Sequence, residues 1–203
     1  MAAELPNRLI RALKLSIGLL DELGQSYALV GGLAISVRSE PRFTRDIDIS
    51  VVAPDDAASE ALTHALQQRG YTVLATVEQE AVGPLATVRL RVPLEPTGNV
   101  LDLLFASCGI EPEIVAASES IQVFPDMAVP VACVEHLIAM KVLSRDDRRR
   151  PQDRMDLRNL IQVATKPQLE LAREALKLVQ ARGYNRGINL EVALQNALEE
   201  LGS

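Results

Sequence analysis

Apolar residues recur along the chain first at helical spacing, then at strand spacing, then at helical spacing again. Leu9, Ile10, Leu13, Ile17 and Leu20, with Arg and Lys between them, predict an amphipathic helix over residues 5–24 that stops at Gly24. The run "YALVGG" (27–32) predicts a short strand ended by two glycines, and "LAISVRSE" behind it continues through a tight turn into a helix. "DIDISVVA" (46–53) predicts a second strand. Residues 55–69 open with acidic side chains suited to a helix N-terminus, and Gly70 closes that helix. "YTVLATV" (71–77), "LATVRLRV" (85–92) and "VLDLLFA" (100–106) predict three further strands. From residue 134 the period is helical, over 134–145, 154–164, 168–182 and 190–201. Pro125 and Pro130 in "PDMAVPVA" interrupt both periods. The expected architecture is α/β: a mixed sheet flanked by helices over residues 1–125, with a helical C-terminal segment over 126–203 packed on it. There are no internal repeats or low-complexity tracts.

Two positions break the pattern of the strands. Asp46 and Asp48 stand at i and i+2 of one short apolar strand, so both carboxylates point to the same face. Like charges so placed repel, and a divalent cation between them is the usual remedy. Asp102 places a third carboxylate in the middle of another apolar strand, where a charge is out of place unless the strand borders a cleft. A partner such as Arg89 or Arg91 on a neighbouring strand would also account for it.

Composition narrows the choice of chemistry. With 48% apolar residues in 203, the chain can bury a substantial core. Aromatic residues make up 3% and Trp is absent, which disfavours a stacking platform for single-stranded nucleic acid. The net charge of -6 disfavours broad binding to a polyanion, and no sequence-specific DNA binding is expected. Cys108 and Cys133 have no second Cys or His at ligand spacing, so free thiols are expected rather than a zinc or redox site. His64 and His136 likewise lack ligand partners and are expected to be structural. Glu4, Arg8, Arg11 and Lys14 exclude a signal-peptide core, and no run reaches the length of a membrane span, so a cytoplasmic protein with no membrane partner is expected.

Transfer of a phosphoryl or nucleotidyl group needs carboxylates for divalent ions, donors that cradle phosphates, and a cation for the leaving pyrophosphate. Gly31 and Gly32 stand just before a helix, where backbone N–H groups and the helix dipole favour an anion. Lys141 and Arg145 lie four apart on one helix face, with Leu137, Ile138 and Val142 facing the core. The run "RDDRRRPQDR" (145–154) is either a self-neutralised turn or a phosphate-binding edge of the cleft. Arg38 and Arg42, between the helix and the aspartate strand, are further phosphate candidates.

In order and spacing these features resemble the nucleotidyltransferase superfamily. "GGLAISVRSEPRFTRDIDI" (31–49) with "HLIAMKVLSRDDRRRPQDRMDL" (136–157) looks most like the AbiEii/AbiGii-type group, the toxins of type IV toxin-antitoxin systems. The likeness covers residues 27–52 and 136–160 well and the strand around Asp102 in part. It implies that Gly31 and Gly32 form the nucleotide-binding turn and that Asp46 and Asp48 bind metal, two Mg2+ ions with Mn2+ as a substitute. It implies that Asp102 joins the metal site and aligns or deprotonates an acceptor hydroxyl. Lys141 would contact the triphosphate, with Asp153 or Asp156 as the acidic residue after it. The implied substrates are an NTP and an acceptor, tRNA or protein, and the implied partner is an antitoxin encoded nearby. Gly32 departs from the pattern, since many active transferases carry a serine there, and Arg45 stands where several relatives have a small residue. A non-catalytic binding domain and an enzyme modifying a small molecule such as an antibiotic remain as alternatives.

Overall fold

The computed structural model describes residues 4–78, 85–94, 99–146, 148 and 150–201. The chain opens with α1 (Glu4–Glu22), β1 (Tyr27–Val30), α2 (Gly31–Arg38), β2 (Asp46–Val51) and α3 (Asp56–Gln68). Three strands follow, β3 (Thr72–Glu78), β4 (Leu85–Arg91) and β5 (Val100–Leu104), then α4 (Glu111–Ala116). A hairpin of β6 (Glu119–Phe124) and β7 (Met127–Val131) leads into α5 (Val134–Ser144), α6 (Gln152–Val163), α7 (Lys166–Ala181) and α8 (Leu190–Leu201).

The seven strands form one mixed sheet in the order β3-β4-β5-β2-β1-β7-β6. β2 runs parallel to β5, and β1 parallel to β7, while the other neighbours are antiparallel. β1 is buried along its whole length, as a central strand covered on both faces must be. In β2 the alternation separates two roles: Ile47 and Ile49 are fully buried, while Asp46 and Asp48 point to the opposite face and are only partly buried. β4 and β5 repeat this division, with Val88, Leu90, Leu101 and Leu103 in the core and Arg89 and Asp102 on the polar face.

The hairpin departs from the sequence expectation. β7 lies beyond residue 125, inside the segment expected to be helical, and it pairs with β1. Pro125 and Asp126 form the two-residue connection between Phe124 and Met127, so the prolines that break the periodicity mark a hairpin. Helical structure resumes at Val134, and Leu137, Ile138 and Val142 of α5 are buried as the spacing predicts. α6 and α7 cover α5, and a Thr165–Gln168 capping box starts α7. Among the described residues no helix is long and apolar enough to cross a membrane.

Candidate active site

β1 passes into α2 without a loop, and the two glycines are the first residues of that helix. Gly31 has φ +61°, and a Cβ there would lie 2.1 Å from Asp48 Oδ2. Only glycine fits this approach. The Gly32 backbone N–H lies close enough to the Asp48 carboxylate to favour its ionised form, so the turn and the aspartate strand meet at this point. Gly31→Ala is therefore expected to cost about 1–3 kcal/mol of stability and to displace Asp48. A urea midpoint equal to that of the wild type would refute this close approach.

Asp48 pairs in register with Asp102 of β5, and Asp102 with Arg89 of β4, so three side chains form a row across adjacent strands. Arg89 donates from Nε to Asp102 Oδ1 at 2.8 Å and from Nη2 to Asp102 Oδ2 at 2.7 Å. The same Nη2 reaches Asp46 Oδ2 at 3.1 Å. Among the described residues Asp48 has no ion pair. Burial, with the charges of Asp102 and Asp46 added, pushes its carboxyl up to about 6, against the smaller opposing effects of the Gly32 N–H and Lys141.

Facing this acidic wall is a basic one. Lys141 is held by Asp153 Oδ1 at 2.8 Å and Asp156 Oδ2 at 3.1 Å. Arg42 is paired with Asp156, through Nε to Oδ1 at 2.6 Å and Nη2 to Oδ2 at 2.8 Å. Arg150 pairs with Asp153 at 3.2 Å. Three cations meet two buried carboxylates here, which leaves one net positive charge on the wall. The walls enclose a cleft of about 470 Å³, bounded also by Gly31, Gly32, Thr44 and Ser107.

Of the residues expected from the sequence, the structure brings Gly31, Gly32, Arg42, Asp46, Asp48, Asp102 and Lys141 to this cleft. Arg38 is not there. It donates to the carbonyls of Val131 and Ala132, each at 3.0 Å, and pairs with Glu119, so it fastens α2 to the end of β7. Arg145 turns to Glu200 of α8 at 2.9 Å and does not line the cleft. Asp153, 5% exposed, stands behind Lys141 and holds it. Of the basic run, Asp147 and Arg149 lie outside the described residues. Arg45 lies over the Phe43 ring, 5.5 Å from its centroid. The two cysteines are unpaired, as expected.

Arg186 also lines the cleft and escaped the sequence reading. It is the one non-glycine residue with positive φ among those described, and it donates to the Ser107 carbonyl at 3.2 Å. The only trace in the sequence is a basic residue in the loop between Gly183 and Gly187. Ser107 itself is fixed by Glu111, whose Oε1 accepts from the N–H groups of Ser107 at 2.6 Å and Cys108 at 2.8 Å.

The donor set suits a hard divalent cation. Asp46 and Asp48 present carboxylate oxygens on one face, and among the described residues Asp48 has no ion pair to offset its like-charged neighbours. Asp102 is different, because Arg89 occupies both of its oxygens. Consistently, no three His, Cys, Asp or Glu side chains are grouped for a metal ion among the described residues.

A mixed sheet that sets Asp46, Asp48 and Asp102 opposite a cationic wall, with a Gly-Gly helix start between them, defines a nucleotidyltransferase. The particular branch follows from the sequence: the family described as "Nucleotidyl transferase AbiEii toxin, Type IV TA system" matches residues 18–201, and the chain belongs to it. Solved structures share the fold. One is an antigenic nucleotidyltransferase-like protein from Paracoccidioides brasiliensis, 20% identical over 93% of each chain, with a TM-score of 0.52. Another is the antibiotic-resistance factor ANT(2'')-Ia, 16% identical over 96% of each chain, with a TM-score of 0.50. No curated protein matches the chain.

Proposed function

We propose that this nucleotidyltransferase moves a nucleoside monophosphate from an NTP to a hydroxyl of tRNA or protein, as the toxin of a toxin-antitoxin pair whose antitoxin is encoded nearby. The observation that carries the reading is the opposition of the two walls across one cleft. The carboxylates Asp46 and Asp48 would hold Mg2+, with Mn2+ as its substitute, and the cation supplies charge neutralisation at the phosphate oxygens.

The acceptor oxygen attacks the α-phosphorus, the bond to the β-phosphate oxygen breaks, and pyrophosphate leaves. Lys141 and Arg42 meet the charge that develops on the leaving group, and Arg150 and Arg186 extend that surface. Asp102 orients the acceptor hydroxyl and receives its proton once Arg89 yields one carboxylate oxygen. The absence of a serine at position 32 is compensated locally. A Cβ on Gly32 would lie 2.8 Å from both Arg42 Nη2 and Thr44 Oγ1, so a guanidinium and a hydroxyl occupy the space of the missing side chain and supply donors in its place.

The test is to offer each of four α-labelled NTPs with Mg2+ alongside bulk tRNA, a protein extract and an aminoglycoside. Label on tRNA or protein is the expected result. Label on the aminoglycoside alone would replace the toxin reading with small-molecule modification, and NTP binding without any labelled product would leave a binding domain.

A further inference from the structure

Arg89 holds carboxylate oxygens that a metal ion beyond the first would have to take. Its guanidinium covers both oxygens of Asp102 and one of Asp46, at 2.7 to 3.1 Å. Asp46 Oδ1 and the Asp48 carboxylate remain without a cationic partner among the described residues. Charge counting points the same way. Asp46, Asp48 and Asp102 sum to -3 when ionised, and Arg89 reduces this to -2, which one divalent ion cancels. Two such ions beside Arg89 would leave +2 in a site with no nucleotide to balance it.

We infer that Arg89 stands in for one of the two ions expected from the sequence, so that the nucleotide-free protein binds a single divalent cation, at Asp46 and Asp48. This rests on the reading of those aspartates as the metal site. The planar fork of an arginine is suited to the role: it takes both oxygens of Asp102 in one plane and still has a donor for Asp46. Arg89 reaches this place through strand register, because β4 sets it directly opposite Asp102. Its side chain is 45% exposed, so it can withdraw toward solvent without breaking the core.

The experiment is a Mn2+ titration without nucleotide, in which the EPR signal of free Mn2+ gives the number of bound ions. The proteins are the wild type, Arg89→Lys, Arg89→Gln and Asp48→Asn, each checked for native circular dichroism. One ion is expected in the wild type and none in Asp48→Asn. Arg89→Gln should take up a second ion at least tenfold more tightly than the wild type does. Arg89→Lys, which cannot cover both Asp102 oxygens, should fall between them, so either Arg89 variant tests the idea if the other fails to fold. Two ions of similar affinity in all three Asp48-containing proteins would overturn the role of Arg89 and leave the metal site standing. No ion bound by any of them would overturn both.

Discussion

Asp48→Asn is expected to lower nucleotidyl transfer by about 10³-fold while making the metal-free protein more stable at neutral pH. The loss of activity follows from removing one of the two carboxylates aimed at the cation. The gain in stability follows from the burial of the Asp48 carboxyl and, after that, from the charges of Asp102 and Asp46 beside it, which together push it up to about 6 from an ordinary 3.8. In the window between those two values the native state still holds a proton that the unfolded chain has lost. Stability from this group is therefore full below about pH 4 and falls as pH rises toward 6. Above that window the native site carries the cost of a buried charge crowded by like neighbours, on the order of 2–3 kcal/mol. Asn carries no such cost. In EDTA at pH 7.5 the variant should melt roughly 5 °C above the wild type, and the difference should shrink at pH 4.5. Mg2+ should narrow it at pH 7.5 by favouring the ionised wild-type carboxylate. A variant that melts well below the wild type in EDTA, or that keeps its transferase activity, would contradict the assignment.

Much of this site was legible because it is built from short-range rules. The i, i+2 placement of Asp46 and Asp48 follows from strand geometry, and the close approach of Gly31 to Asp48 depends on the β1–β2 pairing that sets Val30 opposite Asp48. The role of Arg89 was legible only as one of two candidates. Choosing between Arg89 and Arg91 needs the register of β4 against β5, which alternation does not provide. Arg38 misled because nearness in sequence to the aspartate strand says nothing of which side of a short helix it occupies. It turned to the β7 carbonyls, on a hairpin that Pro125 and Pro130 had hidden. Arg186 was out of reach for a different reason: a loop about 84 residues beyond Asp102 carries no period that ties it to the sheet.

Asp156 presents the other large expected effect, and it concerns how the basic wall is held. Its side chain is 1% exposed and takes both Arg42 and Lys141, with Gln152 Nε2 donating at 3.2 Å to Oδ1. Asp156→Ala leaves two cations facing a buried gap, and removal of one partner from such a network costs about 3–5 kcal/mol. For a chain of this length that corresponds to a melting temperature lower by roughly 10 °C. Asp156→Asn keeps the volume and an acceptor oxygen, so it should lose less stability. It should nonetheless raise KM for the NTP more than it lowers kcat, because Arg42 and Lys141 are no longer drawn to one point. Exposed pairs provide the contrast: Glu22 and Arg69 are in contact at 2.8 Å with both side chains at least half exposed, and Glu22→Gln should leave the melting temperature unchanged. Differential scanning calorimetry of the three variants separates these cases. If Asp156→Ala melted with Glu22→Gln, the wall would be held by the packing of α6 on α2 and α5, and Asp156 would be dispensable to it. If the ordering holds, one buried carboxylate on α6 sets the position of the cations that face Asp46 and Asp48 across the cleft.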